Sequence, residues 1–162
     1  MAAVDYFLKI DGIQGDSLDA KHKGEIELES FSWGETNSGG PGHGAGGGAG
    51  KVQMQDLHFV MRVNKASPTL MLACATGKHL KQAILTARKA GKGQQEFLVF
   101  KFTDLLVSSY QTGGTAHSDA APMDQIAFNF AKIEVEYRGD RPDGSLDQPV
   151  RAGWDVGANQ PV

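Results

Sequence analysis

Two segments with strand-like alternation flank a run made mostly of glycine, and this run constrains the fold more than any other feature. Residues 39–50 read GGPGHGAGGGAG, with 8 glycines in 12 positions. A β-hairpin normally closes in about two to five residues, so the run is longer than a turn requires. Glycine has no side chain to pack and high chain entropy. The sequence therefore predicts a mobile arm projecting from a β-rich base, which favours assembly over catalysis.

The alternation of apolar residues shifts by one position on both sides of this arm. Before it, the pattern moves from even positions, ending at Leu28, to odd positions, starting at Phe31; after it, the same shift falls before Leu57. A one-residue slip turns side chains to the other face of a strand, so matched shifts indicate a bulge or a strong twist. The distal part of the hairpin could then face a neighbouring subunit, although a bulge without a partner also explains the pattern. The residues expected at such a subunit interface are Phe31, Trp33, Val52 and Met54.

The rest of the chain predicts a mainly β fold with one helix. Ser67 is a candidate N-cap, Pro68 suits the first helical position and Gly77 is a candidate C-cap. We therefore expect a compact β-barrel of two sheets with one flanking α-helix and a long glycine-rich hairpin arm, forming a single domain over residues 1–162. Period-two alternation predicts further strands at 4–10, 82–90, 96–111, 125–138 and 150–156.

The apolar residues of the predicted helix indicate a buried face. Leu70, Met71 and Cys74 share one side at i, i+1 and i+4, and Leu72 adds apolar bulk beside them. Cys74 is the single cysteine, which excludes an intrachain disulfide and fits folding in a reducing cytoplasm. We interpret it as a core thiol rather than a nucleophile, because the sequence around it is apolar.

Composition excludes several classes of partner. The chain has 16 basic and 19 acidic residues among 162, so no basic excess is present to neutralise phosphates, and we expect no nucleic acid partner. No apolar run approaches the about 20 residues of a membrane helix, so we expect no membrane insertion. The N-terminus has no basic segment before its apolar residues, which predicts that the chain carries no cleavable signal peptide.

Motifs for catalysis or cofactor binding are weak. Gly42, Gly44 and Gly47 reproduce the dinucleotide-binding spacing, but a strand rather than a helix is predicted to follow, and such spacing is near-inevitable in this run. The five histidines are scattered and form no HxH or HExxH pair, and there is no CxxC. We therefore expect no enzymatic activity, no catalytic residues, no metal and no cofactor.

Several separated motifs resemble the Hcp (haemolysin-coregulated protein) family. They are VDYFLKIDGIQGDS, FSWG, the glycine-rich arm, KVQMQDLHF, SPTLMLACATGKH, LLVSSYQTGG, FNFAKIEVEY and GWDV, in this order over essentially the whole chain. The resemblance implies a tube component of a type VI secretion system, whose β-barrel subunits form hexameric rings that stack. It also implies synthesis in the bacterial cytoplasm, secretion to the medium or a target cell, and contact with effectors, spike and sheath proteins.

The resemblance also implies roles for individual residues. Ser30 and Ser32 alternate with Phe31 and Trp33, so their side chains are expected to line the ring lumen and contact effectors. The alternative function is a monomeric β-barrel that binds a small ligand or acts as an enzyme, with the glycine loop as a lid. The residues expected to form the ring-stacking arm are Gly39, Gly40, Pro41, Gly42, His43, Gly44, Gly46, Gly47, Gly48 and Gly50.

Overall fold

Eleven strands and one helix occupy the described part of the chain. The structure is a computed structural model that describes residues 3–39, 51–91 and 93–162. The elements are β1 (Val4–Ile10), β2 (Ile26–Leu28), β3 (Ser30–Ser32), β4 (Glu35–Asn37), β5 (Val52–Met54), β6 (Leu57–Arg62), α1 (Ala66–Thr76), β7 (His79–Lys89), β8 (Glu96–Gly113), β9 (Met123–Tyr137), β10 (Val150–Asp155) and β11 (Gln160–Pro161).

Antiparallel pairing closes most of these strands into a barrel. In the larger sheet, β2 pairs with β1, and the order then runs through β7, β8 and β9 to β6, which pairs with β3. The circuit closes because β2 and β3 are consecutive pieces of one chain segment, and the Glu29 amide between them donates to the Val60 carbonyl at 2.8 Å. Strands β4 and β5 form a separate two-stranded sheet. The predicted two-sheet, mainly β fold with one helix is confirmed.

Both predicted shifts in alternation are present, and they have different causes. The shift after the arm accompanies a one-residue offset in the hairpin, because two residues separate Ser32 from Glu35 but three separate their partners His58 and Met54.

The shift before the arm accompanies a change of partner. Ile26 and Leu28 are buried, whereas Ser30 and Ser32 are exposed. At Glu29 the chain leaves β1 and joins β6, so each short strand faces a different neighbour. The side chains change face because the chain bends between two pairings.

The helix begins earlier than predicted, because Asn64 rather than Ser67 organises its first turn. The Asn64 side-chain oxygen accepts the Ala66 amide at 2.8 Å, and the Ser67 hydroxyl accepts the Asn64 amide at 3.0 Å. Lys65 therefore holds the N-cap position and Ser67 lies inside the helix. The predicted C-cap is confirmed, since Gly77 adopts φ 66° and ψ 30°, the left-handed conformation in which glycine is favoured.

A buried polar contact fixes the helix to the barrel. The Ser67 hydroxyl donates to the Asp124 carboxylate at 2.6 Å, and Asp124, on β9, is fully buried. Burial and the neighbouring Asp124 carboxylate raise the pKa of Tyr110 above its ordinary value. A carboxylate beside the first helical turn also suits the positive end of the helix dipole.

The buried face of α1 differs from the prediction at one residue. Leu70 and Ala73 are buried, and Cys74 is half-buried against the core. Met71 and Leu72 are 49% and 57% exposed, so the expected core role of Met71 is wrong. An α-helix turns 100° per residue, and the buried set follows the i, i+4, i+7 stripe that starts at Ala66, which leaves positions 71 and 72 outside.

Candidate assembly surface

The stem of the predicted arm is a regular β-ladder. Glu35 pairs with Met54 and Asn37 with Val52, so β4 and β5 run antiparallel up to the glycine run. At the start of that run, the Gly39 amide donates to the Asn37 side-chain oxygen at 2.8 Å. A strand does follow the glycines, which supports the rejection of the dinucleotide motif. Residues 40–50, which hold the remaining predicted stacking residues, lie outside the described ranges.

Three of the four predicted interface residues pack against the chain's own core while staying partly exposed. The Phe31 ring lies edge-on to Tyr6 and Phe100, with ring centroids 5.2 and 5.7 Å apart. Trp33 lies 6.4 Å from Phe130 between ring centroids, and Met54 also packs on the core. These half-buried side chains therefore keep part of their apolar area available to a partner.

An apolar cavity of about 670 Å³ separates the arm stem from the barrel. The indole N–H groups of Trp33 and Trp154, two of its lining residues, are both enclosed and have no hydrogen-bond partner within the described ranges. Buried indole N–H groups normally find a hydrogen-bond partner. The other lining residues are Glu35, Thr36, Asn37, Val52, Ile133, Val135, Ala152, Gly153 and Asn159.

The predicted lumen residues lie on a polar, mostly uncharged face. Ser30 and Ser32 are exposed and stand opposite Val60 and His58 in the pairing of β3 with β6. They line a groove of about 280 Å³ whose polar side chains are those of serine, glutamine and His58. Such a surface can form hydrogen bonds without the desolvation penalty of charged groups. Its further polar members are Ser109, Gln111 and Gln125.

Sequence reasoning missed some members of both surfaces. Nothing in the local sequence places Trp154 at the cavity or Gln125 at the groove. Both approach the hairpin through tertiary pairing, Gln125 opposite Val60 on β6 and Trp154 opposite Ile133 on β9. Gln125 lies 65 positions from Val60, and Trp154 lies 121 positions from Trp33, with which it lines the cavity, so no local spacing signals either contact.

Among residues 3–39, 51–91 and 93–162, no group of three or more histidine, cysteine, aspartate or glutamate side chains is placed to hold a metal ion. In the same ranges, no helix has the length and apolar character needed to cross a membrane.

Comparison with known proteins defines the class to which this barrel belongs. Residues 7–137 match the family described as "Type VI secretion system effector, Hcp". A solved structure titled as a type six secretion system protein superposes with a TM-score of 0.92 at 28% identity, covering 99% of this chain and 100% of that one. The fold is therefore that of the barrel proteins of type VI secretion systems.

Two relatives with higher identity narrow the class to a family. The protein hcp1 of Pseudomonas aeruginosa is 44% identical over 159 residues, which cover 97% of this chain and 98% of that one. The crystal structure of Hcp1 from Salmonella typhimurium superposes with a TM-score of 0.82 at 38% identity over the whole of both chains. The chain belongs to the Hcp family, as its motifs predict.

Proposed function

We propose that this chain is the structural subunit of a type VI secretion tube. Six copies form a ring, rings stack into a tube, and the ring lumen binds effectors. The observation that carries the proposal is the β4–β5 stem, which extends from a closed barrel into a glycine-rich run in a chain of the Hcp family. The chain acts by assembly, and we expect no enzymatic activity.

The ring interface is proposed to lie around the base of the arm. Phe31, Trp33 and Met54 are half-buried, and Val52 lines the cavity beside Trp154. A neighbouring subunit that fills this cavity would cover apolar area and offer acceptors to the two indole N–H groups. Large aromatic residues in such settings dominate binding energy. A head-to-tail contact of this kind, repeated with a closing rotation, generates a ring.

Stacking between rings is assigned to the arm, residues 39–50. Ordering a flexible segment costs about 1–2 kcal/mol per residue, so a single arm gains little net free energy from docking on the next ring. Six arms act together, because after the first contact each further one is effectively intramolecular. Stacking is therefore weak for one subunit and strong for a complete ring.

The polar face that contains Ser30 and Ser32 is proposed to line the lumen and to contact effectors. Its serine and glutamine side chains offer both donors and acceptors, and this suits passengers of varied sequence. Expulsion of the tube then takes the protein from the cytoplasm to the medium or a target cell without a signal peptide. Spike and sheath proteins are the expected partners at the end and the outside of the tube.

Negative charge added to the arm tests whether residues 39–50 stack the rings. The variant Gly46→Asp with Gly48→Asp should keep the hexamer but lose tube formation and secretion, because six arms would then carry like charges into one contact. The matched control is Ala116→Asp with Ala120→Asp, which adds the same charge to an exposed loop outside the arm.

Both variants are analysed for mass in solution, tube formation by electron microscopy, and secretion. The control should form hexamers, tubes and secreted protein at wild-type levels. A monomeric arm variant would show that the arm builds the ring itself. Normal secretion of the arm variant would show that the arm is a passive loop.

A further inference from the structure

A loop on the outside of the barrel, residues 14–25, covers a second buried cluster; we refer to this loop as the strap. Phe7 and Leu8 point to opposite faces of β1, and Leu8 belongs to the barrel core. Phe7 is nevertheless only 2% exposed, and Arg88 on the neighbouring β7 is 3% exposed. The strap buries them, since its His22 ring stacks on Phe7 with centroids 4.3 Å apart.

The strap is held at one point by a bidentate ion pair. The Arg88 guanidinium donates to the two carboxylate oxygens of Asp19 at 3.0 and 2.7 Å, and it also lies 4.7 Å from the centre of the Phe7 ring. The hydrogen bond from Arg88 holds the pKa of the Asp19 carboxyl well below its usual range. Arginine does not deprotonate in proteins, so this pair persists from mildly acidic to alkaline pH.

A second point of attachment depends on protonation. His22 is 6% exposed, and its Nδ1 lies 2.9 Å from a Glu25 oxygen while its Nε2 lies 2.7 Å from a Glu96 oxygen. Ionised carboxylates only accept hydrogen bonds, so both ring nitrogens must donate. Only the imidazolium form carries a proton on each nitrogen, and neutral histidine must give up one of the two bonds.

The charges around His22 strengthen this dependence. The strap contributes Asp19 and Glu25, and β8 contributes Glu96. Strand β1 contributes Asp5, which lies 3.5 Å from Arg88, and β2 contributes Glu27, which stands opposite Phe7 and lines the same cleft as Asp19 and Arg88. Against these five carboxylates stand His22 and Arg88 as the buried cations. The flanking lysines of the strap, Lys21 and Lys23, are exposed to solvent. Neutral His22 would therefore leave both Glu25 and Glu96 without a cationic partner, and one of them without a hydrogen-bond donor.

We propose that His22 attaches the strap to the barrel in a pH-dependent manner. When His22 carries only one ring proton, it cannot donate to both glutamates, so one bond is lost and the strap loosens around residues 20–25. The Arg88–Asp19 ion pair still holds the strap to β7 from mildly acidic to alkaline pH. Loosening uncovers Phe7 and the adjacent outer face of β1 and β7. The proposal needs no ring or tube, so it stands apart from the proposed assembly.

Trypsin cleavage reports directly on this attachment, because Lys21 and Lys23 flank His22. Cleavage of a folded protein needs local opening, and its rate follows the population of the open form. The full chain is digested between about pH 6 and about pH 8.5, a range that spans histidine titration. Each rate is divided by that of an unstructured peptide covering residues 18–26, which removes the pH dependence of trypsin itself.

The normalised wild-type rate should rise about tenfold over this range, as expected for loss of one charge-assisted hydrogen bond. The variant His22→Gln makes one of the two bonds at any pH, so it should be cleaved fast and without pH dependence. In Glu96→Gln, the new amide can donate to neutral His22 or accept from its imidazolium. That variant should be cleaved slowly and without pH dependence.

The two variants therefore differ in their cleavage rates, but neither rate changes with pH. This pattern separates the proposal from general destabilisation. A wild-type rate that does not change with pH would overturn the proposal. So would a folded Glu96→Gln variant that is cleaved as fast as His22→Gln, or that keeps the wild-type rise.

Discussion

Replacing one of two leucines on the same helix gives a sharp test of how α1 packs. Leu70 is fully buried, whereas Leu72, two residues further on, is 57% exposed. Both changes to alanine have the same small effect on helix propensity, so any difference in stability reports burial. Leu70→Ala removes the buried side-chain atoms and leaves a cavity under the helix, on the β8 side.

The expected loss for Leu70→Ala is about 3–5 kcal/mol in the free energy of unfolding, the usual cost of truncating a fully buried leucine. At a slope of about 2 kcal/mol per molar urea, the midpoint should fall by about 1.5–2.5 M. Leu72→Ala should change the free energy by less than about 0.5 kcal/mol, as exposed substitutions usually do.

Urea denaturation of the full chain, followed by tryptophan fluorescence at one fixed protein concentration, measures both values. Equal losses for the two variants would refute the packing described for α1. A loss confined to Leu72→Ala would refute it as well, because Leu70 would then not be the buried residue.

Three further predictions concern charge, the lumen and the thiol. The lowered pKa of Asp19 gives stability that is present above about pH 4 and lost as pH falls through the folded-state value. The unfolding free energies of wild type and Asp19→Asn should therefore converge in strong acid; a gap that stays constant would contradict this. Ser32→Arg should leave the hexamer intact and alter effector retention, whereas loss of the ring would show that Ser32 is packed. Half-buried Cys74 should react with a thiol reagent more slowly in the folded protein than in denaturant, and equal rates would place it at an open surface.

Sequence periodicity predicts the bounds of three strands closely. The strand at 4–10 is confirmed to the residue. Strand β8 ends two residues later than predicted. Strand β9 begins two residues earlier and ends one residue earlier than predicted. The alternation shift near Glu29 is visible in the sequence, but its cause is not. A bulge and a change of partner give the same pattern, and only the pairing of β3 with β6 distinguishes them.

Local signals misplace the start of the helix, because Asn64, three residues before the predicted cap Ser67, organises the first turn. Ser67 and Asn64 both suit an N-terminal turn, and the Ser67 hydroxyl is instead drawn to the buried Asp124 carboxylate. That contact spans 57 positions in the chain, so no local reading of the sequence can detect it.

The candidate site is less accessible to sequence reasoning than the fold. Its hairpin stem follows from alternation, whereas the cavity behind it arises where β10 brings Trp154 towards Trp33. The assignments of Phe31, Trp33, Val52 and Met54 to an interface and of Ser30 and Ser32 to a lumen remain predictions, since they concern contacts between copies.

The mass of the wild-type protein in solution tests the proposed ring most directly. Size-exclusion chromatography with light scattering should give about 104 kDa, six times the chain mass of 17.3 kDa. A mass of one chain at micromolar concentration would contradict the assembly and favour the monomeric ligand-binding barrel, with the cavity beside Trp33 as its site.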